Sequence, residues 1–275
     1  MDLLESFLLG LLQGITEFLP ISSSGHLVLA QNLLGLDSDK GITFEIVVHF
    51  GSLMSIMLYF RRDIISILKE SFLLLSKPQT IKNYTSWSSD QRIILYIFIS
   101  MIPAFIVGIF FKSYIEAAFE SPLWVSSMLI ITGFILFSTK YVGRRVSDLN
   151  HSNAAWIGFA QAIAILPGIS RSGSTIAMAQ HLGLSRDDSA RFSFLMVIPV
   201  IAGAMLLEIL EISSVDLSVN YQVLLTGLLS SAFSGYFALV FLIKVIRRFG
   251  IHWFALYCWS IGLIGLWYFW PWWLP

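Results

Sequence analysis

Charge is scarce in this chain. Asp, Glu, Lys and Arg make up 12% of its 275 residues, against 56% hydrophobic residues, and mean hydropathy is +0.78. That scarcity excludes a large soluble protein, whose surface needs charge, and leaves an integral membrane protein. An excess of one sign is also absent, since 17 Lys and Arg balance 17 Asp and Glu, so nothing points to nucleic acid. The lone Cys258 excludes an intramolecular disulfide and reads as a packing residue. Asp2 and Glu5 stand where a secretory signal would carry positive charge, which predicts that no leader is cleaved.

What the chain does contain is a polar, Gly-bearing segment that occurs twice. Gln13–His26 reads QGITEFLPISSSGH and Gln161–Ser174 reads QAIAILPGISRSGS, offset by 161 − 13 = 148 positions. The same offset pairs Gly10 with Gly158, Ser22 with Ser170, Ser24 with Ser172, Gly25 with Gly173, Leu34-Gly35-Leu36 with Leu182-Gly183-Leu184, Asp39 with Asp187 and Phe44 with Phe192. Over positions 10–58 there are 14 identities without a gap. The Gln, Ser, Gly and Asp matches do not follow from an apolar composition.

Apolar stretches of roughly 20 residues, enough to cross a hydrocarbon core, lie near residues 43–60, 92–111, 121–140, 191–210, 221–243 and 252–271. The segments 2–34 and 152–184 are apolar too, but each is broken by Pro, Gly and Ser, at Pro20–Gly25 and Pro167–Gly173. Broken backbone is tolerated at membrane depth only where protein or water satisfies it, so both are expected to be re-entrant hairpins. Of the 17 cations, 14 fall on one side of this layout: Arg61, Arg62, Lys69, Lys77, Lys82, Arg92, Lys140, Arg144, Arg145, Arg186, Arg191, Lys244, Arg247 and Arg248. That side is expected to be cytoplasmic. Asp37, Asp39, Glu116, Glu120, Glu208, Glu211 and Asp216 fall on the other side.

Three spans between matching points turn the second copy upside down. The expected fold is therefore an all-α polytopic membrane protein with an inverted-topology repeat, six transmembrane helices and two re-entrant helical hairpins. Residues 1–275 form one integral membrane domain, with 1–140 as the first repeat and 150–275 as the second, and the hairpin tips meet near the bilayer midplane. Residues 63–76, with Ile64, Ile65, Leu68, Phe72 and Leu75 at helical spacing, are expected to form a cytoplasmic interfacial helix. Trp267–Trp273 suits an outer aromatic belt.

Glu17 is an ionisable group inside an apolar stretch, where function is the default expectation. Gln13 lies one turn earlier on the same helical face. A carboxylate and an amide oxygen do not enclose a metal, but they can share Mg²⁺ or Ca²⁺ with substrate phosphate oxygens. Ser22, Ser23, Ser24, Gly25 and His26 form a hydroxyl-rich turn with a titratable imidazole. The serines read either as a helix N-cap or as a site in which Ser23 attacks and His26 is its base, beside amides able to hold an anion. Arg171 is the one cation that this layout places deep in the membrane, at the repeat position of Ser23, and its guanidinium suits bidentate phosphate binding or pairing with Glu17. Ser170, Ser172, Gly173 and Thr175 surround it in sequence and, with Ser22, Ser24 and Gly25, are expected to bind the substrate. Glu45 reads as a second acid or an interfacial residue, and His49 and His181 as packed or interfacial histidines.

The motifs Gln13-x-x-x-Glu17, Phe18-Leu19-Pro20-Ile21-Ser22-Ser23-Ser24-Gly25-His26 and Pro167-Gly168-Ile169-Ser170-Arg171-Ser172-Gly173-Ser174-Thr175 closely resemble the undecaprenyl-diphosphate phosphatase family, the bacitracin-resistance membrane phosphatases. The likeness runs from the first hairpin through Phe192–Pro199 and the spans beyond. It implies hydrolysis of the terminal phosphate of undecaprenyl diphosphate, a polyprenyl diphosphate lipid substrate, to give the carrier used in cell-wall synthesis. It also implies dependence on a divalent cation and a site open to the outer (periplasmic) face of the bacterial inner membrane. By resemblance, Glu17 takes the essential acid and metal role, Ser23 or His26 the nucleophile or base role, and Arg171 the phosphate-binding role. Gln13 fills the family's acid-or-amide position as Gln, which weakens a two-carboxylate metal site. Attack by His26 through a phosphohistidine stays open beside attack by Ser23. Two other readings compete: a lipid-carrier transporter, because such repeats also build alternating-access proteins, and a type 2 phosphatidic-acid phosphatase, whose upstream Lys and Arg-Pro motif is absent. Membrane lipids surround the chain, and a homodimer is left open.

Overall fold

In the computed structural model, residues 2–34, 42–76, 84–143, 147–211 and 220–270 are described, and among them every regular element is helical. The helices are α1 (Leu3–Phe18), α2 (Ser23–Leu34), α3 (Ile42–Tyr59), α4 (Arg61–Ser76), α5 (Ser89–Phe110), α6 (Lys112–Phe119), α7 (Pro122–Ser138), α8 (His151–Ile163), α9 (Arg171–His181), α10 (Arg186–Glu211), α11 (Tyr221–Arg248) and α12 (Phe254–Phe269). Helices in 89–110, 122–141 and 221–248 are long and apolar enough to cross a membrane; 44–59 qualifies only together with 61–76, from which it is bent by 82°. The six expected spans overlap helices among the described residues, of which three, or four with the bent pair taken as one, are long and apolar enough to cross; α12, with 16 residues, is short for a crossing. The charged residues Asp37, Asp39, Lys40, Lys77, Lys82, Arg144, Arg145 and Asp216, with Gly35, Leu36 and Trp272–Trp273, lie outside the described residues, as do the side chains of Glu208 and Glu211.

Both sequence breaks interrupt helices. Leu19 precedes Pro20, a position that disfavours helical backbone; it takes ψ 141° and ends α1. The chain then turns through Ser22 at φ 71°, the one non-glycine residue of positive φ among the described residues, before α2 begins. In the second segment α8 stops at Ile163 and the turn uses Gly168 at φ 92°. A β-carbon at Gly168 would also lie 2.4 Å from the Val125 carbonyl oxygen, so the turn needs glycine for shape and for space.

Each hairpin's first helix packs on a helix from the other half of the chain: α1 on α11, and α8 on α5. Small residues allow this approach, as is usual where lipid supplies no hydrophobic drive. A β-carbon on Gly14 would come within 2.3 Å of the Ser231 carbonyl oxygen, and one on Gly158 within 2.4 Å of that of Ser100. Outside these seams Phe98, Phe105, Phe110, Phe233, Phe237 and Phe241 are exposed on α5 and α11, the pattern of helices facing hydrocarbon. Charges gather at one end of the bundle. Arg191 on α10 meets Asp63 at 2.7 Å and Asp90 at 3.6 Å, and Arg247 on α11 meets Asp187 at 2.9 Å. Ile65, Leu68, Phe72 and Leu75 of α4 are exposed beside this charged end.

Candidate active site

The two broken-helix tips meet. A β-carbon at Gly25 would sit 3.1 Å from the Gly168 Cα, and the Ser172 hydroxyl donates to the Leu19 carbonyl at 3.4 Å. Thr132 on α7 fastens the second tip, donating to the Gly168 carbonyl at 2.8 Å and accepting from the Ser170 amide at 3.0 Å. Cys258 on α12 packs beside the first, its thiol 3.8 Å from the Pro20 carbonyl.

Glu17 is the centre of the contact. Its carboxylate accepts from Ser23 Oγ at 2.7 Å and from Gln13 Nε2 at 3.0 Å, both on Oε2, while Arg171 Nη2 donates to Oε1. The helical spacing that placed Gln13 and Glu17 on one face is thus realised, and the ion pair joins the two halves of the chain. The side chains of Arg171 and Glu17 are 17% and 6% exposed. Two polar atoms at this cluster are buried without partners: Arg171 Nη1, a donor, and Gln13 Oε1, an acceptor. A buried group left unpaired costs about 1–3 kcal/mol, so both are places for ligand atoms. His49, from α3, lies within electrostatic reach of the same carboxylate.

Ser22 and Ser170 fill their repeat-related places as helix caps, accepting from the Gly25 amide at 3.3 Å and the Gly173 amide at 3.1 Å. The capping reading therefore holds for these two serines, and Ser23 is the serine whose hydroxyl reaches the acid. Ser24 and Ser172 sit 3.4 Å from the caps Ser22 and Ser170. Thr175 is turned away from the tips: its hydroxyl lies 2.8 Å from the Arg171 carbonyl and 2.6 Å from Ser193 on α10.

The expected Ser23–His26 pair is not formed. His26 Nδ1 lies 2.8 Å from the Ser22 carbonyl and Nε2 lies 2.9 Å from the Tyr257 hydroxyl. The physical reason is helical: a side chain at the start of α2 reaches the carbonyl four residues back more readily than a hydroxyl three residues back, and Ser23 turns to Glu17 instead. Tyr257 and Thr132 were not legible in the sequence, since they reach the tips from helices 231 and 36–38 positions away. Glu45 is bonded by Gln31 at 2.6 Å, and His181 by Ser138 at 2.8 Å.

Among the described residues no three His, Cys, Asp or Glu side chains cluster as a metal-ligand set. The oxygens of Glu17, Gln13 Oε1 and Ser23 nonetheless suit a hard cation that takes its other ligands from phosphate and water.

Helices long enough to cross a membrane define a multi-pass membrane protein, and a buried acid, a half-buried guanidinium and a half-buried serine lie together between its two broken-helix tips. The family described as "Bacitracin resistance protein BacA" matches residues 6–264, and the chain belongs to it. It is similar to the undecaprenyl-diphosphatase of Salinibacter ruber, 38% identical over 264 residues (96% of this chain, 98% of that protein). It is likewise similar to those of Desulfatibacillum aliphaticivorans, 40% identical over 269 residues (95% and 97%), and Methanobrevibacter smithii, 36% identical over 270 residues (96% of each).

Proposed function

We propose that this chain is an undecaprenyl-diphosphatase, which hydrolyses undecaprenyl diphosphate to the monophosphate and inorganic phosphate and so recycles a cell-wall lipid carrier and supports bacitracin resistance. The observation that carries the reading is the Glu17–Arg171 pair with Ser23 bonded to the same carboxylate and Arg171 Nη1 buried and unpartnered. A phosphoryl oxygen supplies the acceptor that Nη1 lacks, in a bidentate geometry that suits Arg.

In this mechanism Ser23 Oγ attacks the terminal phosphorus and its proton passes to Glu17 Oε2, 2.7 Å away. The bond between phosphorus and the bridging oxygen breaks, and the polyprenyl monophosphate leaves. Water then attacks the phosphorus of the phosphoserine, and the bond from phosphorus to Ser23 Oγ breaks. Glu17 returns its proton to Oγ, and phosphate leaves while the second proton of the water passes to solvent. Arg171 neutralises charge on the equatorial oxygens, where phosphoryl transfer needs it. Ser22 and Ser170 hold the two turns by accepting from the Gly25 and Gly173 amides, and Ser24 and Ser172 beside them offer hydroxyls to the headgroup. Gln13 Oε1 and Glu17 would hold a Mg²⁺ or Ca²⁺ ion, which when bound supplies further charge neutralisation on the phosphates.

The same reading places the chain as one domain in the inner membrane, with repeats 1–140 and 150–275 inverted and α1–α2 and α8–α9 as re-entrant hairpins. It is supported by the matching breaks, by the crossed packing of α1 on α11 and α8 on α5, and by the charged end that the Lys/Arg distribution assigns to the cytoplasm. The site then opens outward. The test is phosphate release by purified protein in detergent from a polyprenyl diphosphate, with and without added Mg²⁺ or Ca²⁺. Release that needs the cation supports the reading, whereas lipid translocation in vesicles without release favours the transporter reading.

A further inference from the structure

We infer that Tyr257 and His26 form a lock that positions Ser23, and that His26 acts through this lock rather than as base or nucleophile; the inference rests on the phosphatase reading above. It starts from one assignment. The Ser22 carbonyl can only accept, so the 2.8 Å contact from His26 Nδ1 places a proton on Nδ1. In the neutral ring Nε2 then carries the lone pair, and the Tyr257 hydroxyl, 2.9 Å away, donates to it. The two rings lie 5.6 Å apart and within 11° of parallel, which holds the imidazole in one orientation. Both nitrogens are thus committed, and neither faces Ser23.

What the lock grips is the strained residue of the site. Ser22 has φ 71°, a conformation costing a non-glycine residue about 1–3 kcal/mol. Its carbonyl receives the His26 amide at 3.2 Å as well as Nδ1. That carbonyl belongs to the peptide plane entering Ser23, so two bonds on it set the direction from which the Ser23 hydroxyl reaches Glu17. The second tip is an internal comparison. There Ser170 has an ordinary φ of −72°, the positive φ falls on Gly168, and the place of His26 is taken by Ser174, whose hydroxyl is buried and unpartnered. The imidazole occurs only in the half that carries both the strained serine and the reactive one.

The test exploits a side chain already in α2. Asn32 Nδ2 donates to the Val28 carbonyl four residues back at 2.9 Å, so an Asn at position 26 can make the same bond to Ser22 while being unable to accept a proton or attack phosphorus. Expected in the phosphate-release assay are a kcat for His26→Asn about three- to tenfold above that of His26→Ala, the usual worth of one such bond, and a similar drop for Tyr257→Phe with KM unchanged. Asn is too short to reach Tyr257, so Tyr257→Phe should add nothing in the His26→Asn background. A His26→Asn enzyme as inactive as His26→Ala overturns the inference, as does an equal effect of Tyr257→Phe in both backgrounds. Independently of any variant's folding, ¹⁵N NMR of histidine-labelled wild-type protein, with His26→Asn used only for assignment, should show neutral His26 protonated on Nδ1; protonation on Nε2 overturns it. A wild-type protein without phosphate release would instead overturn the functional reading beneath.

Discussion

Arg171→Lys isolates what the guanidinium contributes beyond its charge. The lysine can still neutralise Glu17, so the buried carboxylate keeps a partner, but a single ammonium cannot hold Glu17 Oε1 and a phosphoryl oxygen in the fork that Nη2 and Nη1 provide. One charge-assisted hydrogen bond is then lost in the transition state, worth about 1.5–3 kcal/mol, which at 1.4 kcal/mol per tenfold is a fall in kcat/KM of roughly 10- to 150-fold. Arg171→Ala is a poorer probe, because stripping the partner from a buried charge costs about 3–5 kcal/mol of stability and confounds folding with catalysis. The assay is the initial rate of phosphate release at several substrate concentrations, with thermal unfolding in the same detergent to confirm that the variant is folded. A folded Arg171→Lys enzyme within about threefold of the parent would refute the assignment of Nη1 to phosphate.

Glu17→Gln should abolish most activity or shift the Mg²⁺ or Ca²⁺ titration to higher concentration, because an amide lacks the charge that a hard cation prefers; an unchanged titration counts against Glu17 as the metal residue. Ser23→Ala should remove nearly all turnover, and acid-quenched protein from labelled substrate should carry acid-stable phosphoserine in the parent and none in the variant; acid-labile label lost in His26→Ala would show attack by the imidazole instead. Gly14→Val should lower the unfolding temperature in detergent, since its β-carbon meets the Ser231 carbonyl oxygen at 2.3 Å and overpacking of this kind costs about 1–3 kcal/mol. An unshifted melt would show that α1 and α11 separate more easily than their contact suggests.

What was legible in the sequence, and what was not, divides by the range of the interactions. Gln13 meeting Glu17 follows from one helical turn, and Pro20 ends α1 and Gly168 shapes the second turn for reasons contained in their own backbone. The meeting of Glu17 with Arg171 is 154 positions long, yet it too could be anticipated, because an internal repeat converts one local break into two related ones and buried charges seek partners. Tyr257 had no such signal. It belongs to a Trp- and Leu-rich helix, has no repeat mate in the 148-residue register, and gains its role only from where α12 passes the first tip. The partners of Ser23 and His26 were not legible for a related reason. Sequence proximity within one turn limits which groups are near, but the choice among them depends on how each donor is satisfied, and here the Ser22 carbonyl takes His26 Nδ1 while Ser23 donates to Glu17. The two tips therefore share a plan but differ in detail: one turns at Gly168 and carries Arg171, and the other turns at Ser22 and carries Ser23. Under the proposed function the two copies diverge at the position where Ser23 bonds one oxygen of Glu17 and Arg171 the other, so that one copy can offer a hydroxyl and the other a cation to the same phosphate.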